Sequence, residues 1–287
     1  MDLASAVDLF LLDRSTHCSN YTCIWYQQML QPLREWIVDA NGITTADLNR
    51  LIVHLRTRER ADLRSGPLSN RTIAAYVRAL RIFFAWMVRE GHLIHNPAQH
   101  IQPPRFERTP KALTLAQTQA ILAVLNKGVW PQIKRDRALC LFLLDTGCRA
   151  SEVLSAKRSQ VNFTDGYIDV IGKGDKSRRI GLSPVTLSAL KGLNSEYLFS
   201  TDDGGSLTRA GLREILRRLS KRVGIALHPH LFRHTFGTLF VADGGDVSHL
   251  QILMGHAQIQ TTHLYIEKAR AQAALKEHRR HSPVYQL

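Results

Sequence analysis

A set of side chains in this sequence could together hold and attack a phosphodiester. His230-Leu231-Phe232-Arg233-His234 is followed by Gly255-His256 and, nine residues beyond that histidine, by Tyr265. Upstream lie Thr146-Gly147-Cys148-Arg149 and Gly172-Lys173-Gly174-Asp175-Lys176. Phosphodiester transfer adds negative charge to the nonbridging oxygens of a five-coordinate phosphorus, so a site without a metal needs fixed cations around it. The planar arginine fork gives two parallel hydrogen bonds to phosphate, which a lysine point charge does not. Arg149 and Arg233 are the two candidates. Glu152 could pair with Arg149 locally or orient it toward phosphate, and these readings are compatible. Tyr265 is the candidate nucleophile: a phenol with a pKa of about 10 is mostly protonated at neutral pH, so cationic neighbours must favour its oxyanion. His230 suits a base and His256 a donor to the phosphate. The leaving 5′ oxygen needs a proton, and Lys173, between glycines that let the backbone approach DNA closely, is a candidate acid with Lys176 as its rival. Taken singly, each residue has an ordinary structural explanation; only the combination carries the chemistry.

Composition fits such a substrate without selecting it. Thirty-eight Lys and Arg against 24 Asp and Glu give a net charge of +14 and a pI of about 10.1, suited to nucleic acid or to an anionic membrane surface. At 287 residues, 44% hydrophobic and 22% charged, the chain has the composition of one large or two ordinary folded domains and not of a disordered protein. No apolar run reaches the roughly 18 residues of a bilayer span. Met1-Asp2-Leu3 lacks the basic start of a secretory signal. A cytoplasmic protein without a membrane partner is expected. Cys18, Cys23, Cys140 and Cys148 have neither a disulfide framework nor metal-ligand spacing. Reduced, mostly buried thiols are expected, with no metal and no cofactor.

The elements that must position these residues follow from periodicity. Apolar residues recur at helical spacing at Val7, Phe10 and Leu11, at Trp25, Met29, Leu33 and Trp36, at Leu48, Leu51, Ile52 and Leu55, and at Ile73, Val77, Leu80, Phe84 and Met87. They predict a four-helix unit over 1–102, with Asn70 capping the last helix, Gly91 ending it, and basic faces at Arg56, Arg58 and Arg60 and at Arg71, Arg78, Arg81 and Arg89. Pro103-Pro104, Arg105, Arg108 and Pro110 make residues 103–111 a stiff, basic linker. A second, mixed domain over 112–287 opens with a capping box at Thr114 and Gln117. It continues with a buried helix over Ala138–Leu144 ended by Gly147 and a β-hairpin of Tyr167–Ile171 with Arg179–Leu182. Helices over Thr208–Arg222, Phe232–Ala242, Asp246–Met254 and Thr261 to about Arg280 complete it. Arg209, Arg213, Arg217, Arg218, Lys221 and Arg222 make the first of these a DNA-facing element. The tail beyond Tyr265, with Ala269, Ala273 and Leu275 on one side, packs either on its own domain or on a neighbouring subunit.

The second domain resembles the tyrosine recombinase (phage integrase) family. The carriers are Thr146-Gly147-Cys148-Arg149-Ala150-Ser151-Glu152, Gly172-Lys173-Gly174, His230-Leu231-Phe232-Arg233-His234, and Met254-Gly255-His256 through Thr261-Thr262 to Tyr265. Ser69 to Pro97 is similar to the last helix and Asn-Pro exit of the family's core-binding domain. The resemblance implies a mainly α fold with a small β-sheet (α+β): an N-terminal four-helix core-binding domain and a C-terminal mixed catalytic domain. It implies phosphate clamping by Arg149 and Arg233, proton donation by Lys173, proton-transfer or phosphate-contact roles for His230 and His256, and attack by Tyr265. Cys148, Gly237 and Met254 depart from the residues common in the family and bear on packing alone. Further implications are a 3′-phosphotyrosine intermediate, no need of ATP or metal for chemistry, a double-stranded DNA recombination site clamped between the two domains, and a homotetramer on DNA or a heterotetramer with a paralogue. The chain starts almost directly at the core-binding helices, which favours a Xer-like or mobile-element recombinase with simple sites. A type IB topoisomerase-like relaxing enzyme and a non-catalytic DNA-binding accessory protein are the alternatives. The helical N-terminal unit, His256 and the intact residue set stand against them.

Overall fold

The structure, a computed structural model of the chain, describes residues 2–36, 42–57, 67–106, 111–172 and 177–255, with a few positions beyond 273. It divides into two compact units, residues 1–108 and 109–287.

Among the described residues the first unit consists of α1 (Leu3–Ser15), α2 (Asn20–Trp36), α3 (Thr45–Thr57) and α4 (Asn70–Arg89). Each helix buries one apolar stripe. On α3 the buried residues are Leu48, Leu51, Ile52 and Leu55, as the spacing predicts. On α2 the stripe is rotated by one residue: Tyr26, Leu30 and Leu33 are buried while Trp25 and Met29 flank them. The reason is the ring of Phe10, which meets Tyr26 edge-on at 5.1 Å and Phe83 at 5.4 Å. The cap of α4 is Ser69, one residue before the expected Asn70, because its extended backbone lets the hydroxyl accept from the Thr72 N–H. Arg71, Arg78, Arg81 and Arg89 all lie exposed on α4. Residues 103–106 lie along this helix, and a groove of about 660 Å³ between them is lined by Arg78, Arg81 and Arg105 with Val77, Ile82 and Phe106.

The second unit runs α5 (Leu115–Lys127), α6 (Ile133–Thr146), α7 (Ala150–Ser155), β1 (Val161–Asn162), β2 (Tyr167–Ile171), β3 (Ser177–Gly181), α8 (Pro184–Lys191), α9 (Arg209–Val223), α10 (Pro229–Ala242) and α11 (Val247–Met254). Thr114 and Gln117 form the expected reciprocal capping box on α5. The strands make an antiparallel sheet of order β1-β2-β3, in which Ile168 pairs with Ile180, Val170 with Arg178 and Asp169 with Arg179. One face of the sheet, with Ile168, Val170 and Ile180, joins the core built from α6, α9 and α10. Several features differ from expectation: α6 starts at Ile133 and not at Ala138, β3 starts at Ser177, α7, β1 and α8 are additional, and α10 starts at Pro229 and not at Phe232. Pro229 is preorganised for a first helical turn, and His228 caps it by accepting the Leu231 N–H at 3.1 Å.

The thiols are free. Cys140 and Cys148 are buried as expected, but Cys18 and Cys23 are partly exposed on the first unit. Among the described residues no helix is long and apolar enough to cross a membrane. Residues 261–273 of the expected tail helix lie outside the described residues.

Candidate active site

Arg149 owes its position to the glycine two residues earlier. α6 ends at Gly147 with φ +58°, and a Cβ there would lie 2.5 Å from Cδ1 of Phe236, so both the backbone angle and the packed ring require glycine. The chain turns there and delivers Arg149 to the N-cap position of α7. Its backbone N–H donates to Glu152 Oε2 at 2.7 Å and its Nη1 to Glu152 Oε1 at 2.9 Å. Nη2 donates to the carbonyl of Gly255 at 2.8 Å, and the side chain stays 34% exposed.

Arg233 comes to the same place from α10. It is buried, with Nη1 on the carbonyl of Gly147 and Nη2 on the carbonyl of Met254, each at 2.7 Å. The two expected phosphate-clamping arginines therefore converge on one turn, residues 147–149, and on one helix end, that of α11. Asp246 starts α11 by accepting from the Ser248 and His249 N–H groups, and Gly255 ends it with φ +60°. His230 lies in the first turn of α10, exposed, with its ring 6.4 Å from that of His234. Lys173, its rival Lys176, His256 and Tyr265 lie outside the described residues.

A further arginine at this site was not expected from the sequence. Arg178 on β3 donates from Nη1 and Nη2 to the two oxygens of Glu152 at 2.9 and 2.8 Å, and from Nε to the carbonyl of Leu253 at 2.7 Å. Sequence did hold a signal: Arg178 stands two residues before Ile180, on the inward face of a strand, where a charge requires a buried counter-charge. Glu152 is that counter-charge, almost fully buried. Burial by itself pushes its carboxyl pKa up, but the hydrogen bonds from Arg178 and Arg149 outweigh burial and hold it below its ordinary value. Of the two compatible readings, the structure shows the local pairing of Glu152 with Arg149. Neighbouring Cys148 is a packing residue, its thiol pushed up to about 11 by burial.

The basic helix α9 is less uniform than its sequence. Arg217 forks onto Glu214 through two bonds of 2.7 Å, and Arg222 lies over the Trp130 ring at 4.6 Å.

The phage integrase family model matches residues 111–272, which include every candidate from Arg149 to Tyr265. The chain belongs to the phage integrase family. Among similar members, the tyrosine recombinase XerD of Listeria monocytogenes is 30% identical over 246 residues, covering 78% of this chain and 82% of that protein. XerA of Thermococcus kodakarensis is 30% identical over 277 residues, covering 90% and 91%. Within the family the chain is thus a Xer-like tyrosine recombinase. The fold is shared with a crystal structure of the XerH site-specific recombinase bound to its palindromic difH substrate (TM-score 0.76, 21% identity, covering 93% of this chain and 82% of that one). It is shared also with the Tn1549 transposon integrase in complex with a circular intermediate DNA (TM-score 0.79, 20% identity, covering 96% and 99%).

Proposed function

We propose that this family member is a site-specific DNA recombinase that works through a covalent 3′-phosphotyrosine at Tyr265. The observation that carries the reading is the convergence of Arg149 and Arg233 on the end of α11, one residue before His256. Tyr265 Oη attacks phosphorus as the bond to the 5′ oxygen breaks; His230 takes the phenol proton and Lys173 protonates the leaving oxygen. Arg149, Arg233 and His256 bear on the nonbridging oxygens. The freed 5′ hydroxyl of a partner duplex then attacks the phosphotyrosine and releases the tyrosine. One P–O bond forms for each one broken, so the exchange needs no ATP, and the arginines take the place that a metal would fill.

Double-stranded DNA is the substrate, held by both units. The exposed stripe Arg71, Arg78 and Arg81 on α4 and the outer residues Arg209, Arg213 and Lys221 on α9 supply phosphate contacts. Strand exchange between two duplexes calls for four nucleophiles, and a tetramer on DNA, of one chain or with a paralogue, supplies them. The work is cytoplasmic, where a Xer-like enzyme meets its DNA.

A suicide substrate nicked beside the cleavage point tests the reading. Wild type should accumulate a covalent adduct while Tyr265→Phe binds the same DNA and accumulates none; equal adduct from that variant would refute it. For the acid, a 5′-phosphorothiolate should rescue Lys173→Ala, since sulfur leaves unprotonated. Rescue of Lys176→Ala in its place would move the role to Lys176.

A further inference from the structure

We propose that Arg178 is a positioning residue for strand cleavage: it neutralises Glu152 and ties the carboxylate to the end of α11, so that the charge of Arg149 remains available to the phosphate. The proposal rests on the function just described.

Arg178 is placed to hold protein and not DNA. Its side chain is 9% exposed, and all three guanidinium nitrogens are engaged, two on Glu152 and one on Leu253. Arg149, by contrast, is 34% exposed and shares only one guanidinium nitrogen with Glu152. Glu152 Oε1 accepts from both arginines, and Oε2 accepts from Arg178 and the Arg149 backbone. Two arginines and one glutamate leave a single positive charge. Without Arg178 the remaining pair would be neutral where the transition state gains negative charge, and Glu152 would draw on Arg149 alone.

Arg178 also sets the ground from which His256 follows. Three consecutive carbonyls at the end of α11 are each taken by a different arginine: Leu253 by Arg178, Met254 by Arg233 and Gly255 by Arg149. Cations at a helix C-terminus meet its partial negative charge. The packing is close, for a Cβ on Gly255 would lie 3.2 Å from Nη1 of Arg178. The β2–β3 connection that carries Lys173 leads directly into β3, so one guanidinium links the strand after the candidate acid, the clamp at Arg149 and the turn before His256.

Full-length variants on the nicked suicide substrate test this, with DNA affinity measured in parallel to report folding and binding. Arg178→Met, and Arg178→Gln as a second charge-removing variant, should slow covalent trapping roughly 10- to 100-fold while DNA affinity stays within about threefold. Arg178→Lys, which restores the charge without the fork, should recover part of the rate. Adding Glu152→Gln to Arg178→Met should also recover part of it, because the uncompensated carboxylate is removed. Wild-type trapping by either charge-removing variant would overturn the proposal. So would a loss that neither Arg178→Lys nor the double variant relieves, which is the signature of packing. Undiminished trapping by Tyr265→Phe would instead defeat the underlying reaction and leave the hydrogen-bond assignment to Arg178 standing.

Discussion

Glu152 is the residue on which the electrostatics of the site turn. It is 3% exposed and accepts from two arginines. Removing one partner from a buried, hydrogen-bonded charge set costs about 3–5 kcal/mol, because the remaining charges stay buried without compensation. Glu152→Ala should therefore lower the unfolding free energy of the second unit by about 3 kcal/mol, measured by urea denaturation. The pH dependence has a definite sign. Since the folded carboxyl titrates below its ordinary 4.5, its contribution is present above that value and is lost as pH falls through the lowered folded value. Urea midpoints should fall as pH drops below about 4.5, and the slope should be shallower in Glu152→Gln; an unchanged slope would contradict the assignment. At this scale the sequence was legible in singling out Arg149 and Arg233, which the fold brings to the same end of α11. At Arg178 the period-two signal was missed, because the expected strand began one residue later, at Arg179. Two adjacent arginines look alike until strand pairing sends Arg178 inward to Glu152 and Arg179 outward, onto Asp169 and over the Tyr167 ring.

The elements that carry the site are set mostly by their ends. Gly255 ends α11 with a left-handed backbone against Arg178, and Gly147 ends α6 against Phe236. A side chain in the left-handed region costs roughly 1–2 kcal/mol. Gly255→Ala should therefore lose at least about that much stability, and it should slow cleavage as well, because the methyl group displaces the guanidinium that fixes Glu152. Thr114→Ala, at the capping box of α5, offers the contrast: a loss of about 1 kcal/mol on urea unfolding with cleavage unchanged. Helix ends were also where sequence and structure parted. The start of α10 is dictated by Pro229 and the unusual cap His228, which periodicity among apolar residues does not report. α8 has its start signal in Ser183-Pro184 but is only eight residues long, and β1 is two residues long. Neither is long enough to impose a period. The strongly periodic helix α3 was legible residue by residue, and on α4 the five expected residues are buried together with Ala74, Ala79, Phe83 and Trp86, because each stripe faces one core.

At the scale of the whole molecule, the excess of basic residues acquires a distribution. The α4 stripe and the outer residues of α9 are exposed and are the proposed phosphate contacts, whereas Arg217 and Arg222 are spent on Glu214 and Trp130. Binding to duplex DNA should weaken steeply with salt, and each true phosphate contact that is removed should lower the slope of log affinity against log salt by about one. Arg78→Ala and Arg81→Ala should each show that drop. Arg222→Ala should leave the slope unchanged, as measured by fluorescence anisotropy across a salt series. The central claim is covalent chemistry at Tyr265, and it is tested most directly by trapping the protein on a nicked substrate, digesting the adduct and locating the nucleotide-bearing peptide by mass spectrometry. The account predicts a 3′-phosphonucleotide on Tyr265 and none in Arg149→Ala. An adduct on any other residue, or a trapped complex without a covalent bond, would contradict it.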